Sequence, residues 1–217
     1  MKGEKKSSAF AAGIGYTIGN ILIKGIGILT LPLFSRIMST AEFGAYNVFV
    51  SYESLLFVIM GLALHSSVRS ANKEFSGRVN NYVSSISLIY ILNLVIFLVA
   101  GLFFGDILSE WLALEKPLFF LLVVYSFSAA IMTLYNTWIS LNYDYKRYLI
   151  VAITNTVGNI AISLLFILTL FRNRKDIGRI VGASSIITVL AVFLLISIFK
   201  KAKPTFNLQY WKFGLKY

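Results

Sequence analysis

The sequence predicts an all-α integral membrane protein, a bundle of six transmembrane helices. Three observations predict it. The chain is 58% hydrophobic and 13% charged, where a soluble domain is about 45–50% apolar and about 25% charged. Six apolar runs fall at residues 11–38, 43–64, 82–104, 118–139, 149–170 and 177–199. Each reaches the ~20 residues that a helix needs to cross a bilayer. Strands of a membrane barrel would be about 10 residues long and alternate in polarity, which none of these runs does. Residues 1–203 thus read as one six-helix lobe.

The first run, AAGIGYTIGNILIKGIGILTLPLFSRIM, organises the rest. Lys2, Lys5 and Lys6 precede it, as in a signal peptide. Its length, the internal Lys24 and the lack of a small-x-small site before Pro32 argue for a retained first span. Lys24 lies near mid-span, where a charge costs ~2.5 kcal/mol or more unless it faces protein, water or a counter-charge. Thr17, Asn20, Lys24 and Gly27 share one helical face at steps of three or four. Glu53 in the second run sits at a similar depth. Three settings for Lys24 follow. It forms an intramembrane pair with Glu53, it faces a central cavity and receives an anionic group, or it snorkels to an interface.

The later runs carry polar stripes of their own. Asn47, Ser51, Ser54 and Gly61 align in the second run, and Ser126, Thr133, Asn136, Thr137 and Ser140 in the fourth. Asn155, Asn159 and Ser163 follow at i, i+4 and i+8 in the fifth. Such groups hydrogen-bond between helices, or they line a hydrated path. Gly15/Gly19, Gly101/Gly105 and Gly178/Gly182 have the spacing that lets helices approach closely.

Orientation comes from the loops. With the N-terminus in the cytoplasm, the inner segments carry thirteen basic residues and the outer ones six. The segment from Arg172 to Arg179, counted as an outer loop, runs against this trend. Arg36 and Arg69, each just past a span, are topology anchors or phosphate ligands. Short loops predict that sequential helices are antiparallel neighbours.

Several chemistries find no support. Cysteine is absent and His65 is the single histidine, so a thiolate or histidine metal site and a catalytic triad are not expected. No paired carboxylates for acid/base work and no phosphate loop are visible. The expectation is a transporter with no cofactor and no metal, not an enzyme. The net charge of +11 sits in membrane loops, which argues against nucleic acid. In residues 204–217 apolar and polar side chains alternate. That tail is an amphipathic interfacial segment or the lead-in to a seventh span, the latter being favoured.

Three stretches carry a resemblance. ILTLPLFSRIMSTAEFGAYNVFVSY (28–52) has the Pro, Ser-Arg, Glu-Phe-Gly and aromatic in order. GLALHSSVRSANKEF (61–75) is a small-residue exit followed by Arg69, and YWKFGLKY (210–217) resembles the approach to a seventh span. The chain resembles the N-terminal half of a Wzx-type polysaccharide flippase. These belong to the multidrug/oligosaccharidyl-lipid/polysaccharide exporter superfamily. The resemblance implies the N-lobe of a MATE-like transporter in the bacterial inner membrane. It implies flipping of oligosaccharide units linked to undecaprenyl pyrophosphate, for capsule, exopolysaccharide or O-antigen. Under it, Lys24 meets the pyrophosphate or an acidic sugar, and Thr17, Asn20, Asn155 and Asn159 line the path. Arg36 and Arg69 stand at its two mouths. Implied partners are the lipid-linked oligosaccharide, membrane lipids, a C-terminal lobe or a second copy, and a polysaccharide polymerase. A cation-coupled drug exporter, a lipid II flippase and a non-transporting scaffold are the competing readings. Such drug exporters often carry an acid in the first span, where this chain has Lys24.

Overall fold

The computed structural model describes residues 2–216, with side chains from residue 12 onward. Lys2, Lys5 and Lys6, which contribute to the orientation count, thus lie outside the described side chains. Among the described residues there is no strand. The elements are α1 (Lys2–Ile37), α2 (Thr40–Gly61), α3 (Leu64–Glu74), α4 (Val79–Leu112), α5 (Lys116–Ser140), α6 (Tyr145–Leu168), α7 (Lys175–Lys201) and α8 (Leu208–Gly214). Six helical segments are long and apolar enough to cross a membrane, and the chain is an all-α membrane bundle. It divides into two compact units. One holds Met1–Asn47 and Trp138–Ile186, the other Val48–Thr137 and Ile187–Tyr217.

In the first unit α1 packs along α6 in the parallel sense. Near the start of both, Gly15 and Gly19 lie under the Tyr145 ring and the Leu149 side chain. Near the end of both, Phe34 and Met38 form a buried cluster with Ile167. This pairing joins helices that are not sequential, which the expectation of antiparallel sequential neighbours did not address. The glycines favour it, because a Cβ at either position would require the Tyr145 ring or the Leu149 side chain to shift. α7 then returns antiparallel along α6. A Cβ at Gly182 would lie 2.5 Å from Ser163 Cα, and one at Gly178 would lie 3.2 Å from the Ile167 nitrogen. The Gly178/Gly182 pair thus marks backbone-to-backbone contact.

The turn from α1 to α2 is a capping box. Ser39 Oγ accepts from the Glu42 amide (3.3 Å), and Glu42 Oε2 accepts from the Ser39 amide (2.8 Å). The second carboxylate oxygen reaches another helix. Glu42 Oε1 accepts the Lys175 amide (3.0 Å), one of the unpaired donors at the start of α7, while Lys175 Nζ donates to the Ile37 carbonyl (2.7 Å). One side chain therefore caps two helices and fixes where α7 begins.

In the second unit α2 and α5 also run parallel, with Phe49 edge-on to Tyr125 and Ser126 Oγ donating to the Glu53 carbonyl (3.4 Å). The second apolar run is interrupted after Gly61. Leu62 (φ 46°) and Ala63 (φ 51°) are left-handed, and α3 leaves in a new helix. The break strands helical carbonyls, and Asn93 Nδ2 supplies a donor to that of Met60 (3.0 Å). α3 buries Leu64, Ser67, Val68 and Ala71 and exposes Arg69 and Lys73.

Candidate functional site

The first unit holds two cations in very different settings. Lys24 is exposed at mid-length of the α1 span Ala12–Ile37. A Cβ added at the neighbouring Gly25 or Gly27 would meet nothing within 4 Å. Within its unit, Lys24 has no hydrogen-bond or ion-pair partner among the described residues. Glu53 belongs to the other unit, so neither unit by itself builds the Lys24–Glu53 pair.

Arg179 is the opposite case. Only 7% of it is exposed. It lies in the second turn of α7, between Gly178 and Gly182, the two glycines at which α7 packs closely on α6. Nη1 donates to Ser163 Oγ (2.7 Å) and to the side-chain oxygen of Asn159, and reaches the Asn159 carbonyl (3.4 Å). The guanidinium lies over Phe34, 3.9 Å from the ring centroid, and 4.9 Å from that of Tyr46. Cation–π contact of this kind contributes ~0.5–2 kcal/mol, more when water is excluded. One cation thereby ties α1, α2, α6 and α7 together. It also borders a cleft of about 160 Å³, with Thr30, Phe34, Tyr46 and Asn47 among the other walls.

Thr17 Oγ1 donates to the Gly13 carbonyl (2.9 Å). Asn20 Oδ1 accepts from Tyr148 Oη (2.6 Å), which cross-links α1 to α6 one turn before Lys24. Asn159 is an Arg179 ligand. Asn155, one turn earlier on α6, keeps a buried Oδ1 with no partner among the described residues. Arg36 is exposed near the end of α1, and Arg69 is exposed on α3 in the second unit. Thr17, Asn20 and Lys24 thus share the exposed face of α1, and Asn155 and Asn159 share one face of α6. The other hydroxyls are less available than their stripes suggest. Ser54, Thr133 and Thr137 each donate to the carbonyl four residues back.

Counting charges along the chain missed Arg179, which was assigned to a loop. The signal was present in GRIVG. An arginine between glycines at i−1 and i+3 lies on a close helix contact, opposite the Asn159/Ser163 stripe. Glu42 and Lys175 were missed as well, because a cap between helices 133 residues apart in sequence leaves no local pattern.

The model of the family described as polysaccharide biosynthesis protein matches residues 10–217. The chain belongs to that family. This is the membership that the resemblance to Wzx-type flippases implied. No curated protein and no solved structure matches the chain. Lys24 is a cation at mid-length of a spanning helix, and Arg179, near the start of another, is committed to packing.

Proposed function

We propose that this protein is one lobe of a flippase that carries lipid-linked oligosaccharide units across the bacterial inner membrane. Lys24 would meet the pyrophosphate or an acidic sugar. Thr17 and Asn20 would extend its polar face, Asn155 and Asn159 would border the path, and Arg36 and Arg69 would stand near its outer and inner mouths. The N-terminus lies in the cytoplasm in this reading. A second lobe, from a C-terminal half or a second copy, completes the cavity, since alternating access rocks two lobes about one site. A polymerase would receive the flipped unit. The work is transport and involves no bond chemistry.

One observation carries the reading: a lysine with no partner in its own unit among the described residues, exposed at mid-length of a spanning helix. Hydrocarbon would penalise that charge, while a pyrophosphate and a row of hydroxyls need partners that replace water. The test is complementation of a bacterium lacking its polysaccharide flippase, by this chain alone and with a C-terminal half supplied. Surface polysaccharide should return, and accumulated lipid-linked units should fall, in at least one arrangement. Rescue that persists at full level in Lys24→Ala would contradict the role of the lysine. Absence of rescue in a panel of strains with different repeat units would contradict the function.

A further inference from the structure

We propose that the α3–α4–α8 end of the second unit is a docking surface for the headgroups of anionic phospholipids. This inference is independent of what the protein transports. It starts from α8, a seven-residue helix that the rest of the unit holds firmly. Asn207 Oδ1 caps it, accepting from the amides of Gln209 (3.0 Å) and Tyr210 (3.2 Å). Phe75, Tyr82, Tyr210 and Phe213 form a mutual ring cluster with centroids 4.8–5.9 Å apart. Trp211 Nε1 donates to the Ser85 carbonyl (3.0 Å) and to Ser85 Oγ (3.1 Å). Gly214 lies so close to Leu64 and Tyr82 that a Cβ there would come within 2.9 Å of each. Ser84 Oγ, donating to the Ala202 carbonyl (2.9 Å), ties the end of α7 to the same place.

The face so fixed is both greasy and cationic. Phe206 is 81% exposed, Leu208 65% and Leu215 59%. Lys203, Lys212 and Lys216 are exposed among them. Arg69, Lys73 and Arg78 continue the positive rim along α3 and its exit, and Lys200 and Lys201 continue it at the end of α7. Against these eight basic side chains, Glu74 is the single acid within residues 64–92 and 198–217. A soluble polyanion would leave the phenyl and leucyl groups in water. A zwitterionic surface would leave the charge excess unanswered. An interface with apolar chains below and anionic phosphates at headgroup level satisfies both.

The chain has three tryptophans, which makes the test direct. With Trp111→Phe and Trp138→Phe, emission comes from Trp211 alone. The protein is placed in mixed bilayers of phosphatidylglycerol and phosphatidylcholine, with acyl chains brominated on one lipid or on the other at equal mole fraction. Brominated phosphatidylglycerol should quench about twofold more than brominated phosphatidylcholine. The difference should vanish at high salt and in Lys203→Gln/Lys212→Gln/Lys216→Gln. Equal quenching by the two lipids would overturn the proposal. So would no quenching by either, the result if protein covers Phe206 and Leu208. Trp138 is buried, so phospholipid retained on the detergent-purified wild-type chain gives a second reading. Several-fold excess of phosphatidylglycerol over its bilayer share is expected, and parity would overturn the proposal.

Discussion

Lys24 and Arg179 lie in the same unit and carry the same charge, yet the chain treats them in opposite ways. Arg179 has been taken out of solvent and given an amide, a hydroxyl and two aromatic faces. Lys24 has been left without a partner in its unit among the described residues, on a stretch of α1 where even a Cβ added at Gly25 or Gly27 would meet nothing within 4 Å. A planar guanidinium with five donors suits the first setting, and a compact ammonium on a flexible stem suits the second. The difference separates a cation that builds the fold from one that its own unit leaves exposed. Burial and partners make that distinction, whereas depth along the chain does not.

The comparison breaks most visibly at Arg179. Arg179→Ala removes charged hydrogen bonds to Asn159 and Ser163, each contributing ~1.5–3 kcal/mol, and strips Phe34 and Tyr46 of their contact. A loss of stability on the order of 3 kcal/mol is expected, read as a fall in the detergent melting temperature. Unchanged melting would show that the cage is not structural. Gly182→Ala should cost less, about 1–3 kcal/mol, because its Cβ at 2.5 Å from Ser163 Cα forces α6 and α7 apart and drags Arg179 off its ligands. Glu42→Gln keeps one acceptor for the Lys175 amide but loses the charge at the α2 and α7 N-termini. A loss of about 1 kcal/mol is expected in the same melting assay. Tyr148→Phe removes the Asn20 hydrogen bond beside Lys24, an effect of ~0.5–1 kcal/mol on melting.

Much of this was legible in the sequence, for physical reasons. Apolar runs of spanning length admit no other fold, so the six helices could be read directly. The Gly178/Gly182 spacing and the Asn155–Asn159–Ser163 stripe were visible because helical periodicity is local. Arg179 was misplaced because the charge count extended the loop to Arg179, although the sixth run begins at residue 177; only its cage of α1, α2 and α6 side chains shows it as a packing residue. The break after Gly61 was hidden too. Leu62 and Ala63 adopt left-handed backbone with no glycine or proline at those positions, and Asn93 from another helix answers the freed carbonyl. The parallel pairing of α1 with α6 was not foreseen, since Gly15 and Gly19 announce a close neighbour but not which one.

The measurement that tests the comparison most directly uses the absence of cysteine from the chain. Lys24→Cys is reacted with a membrane-impermeant maleimide in intact bilayers. Leu102→Cys on the exposed apolar face of α4 is the lipid-facing control, and Asn173→Cys in the α6–α7 turn is the water-facing one. Maleimide needs water and a thiolate, so a thiol in hydrocarbon stays silent. Labelling of Lys24→Cys within about tenfold of Asn173→Cys, with Leu102→Cys unreactive, is the expected result for a lysine on a watered path. Silence at position 24 equal to that at 102 would place Lys24 against lipid or sealed protein, and would contradict its role in passage.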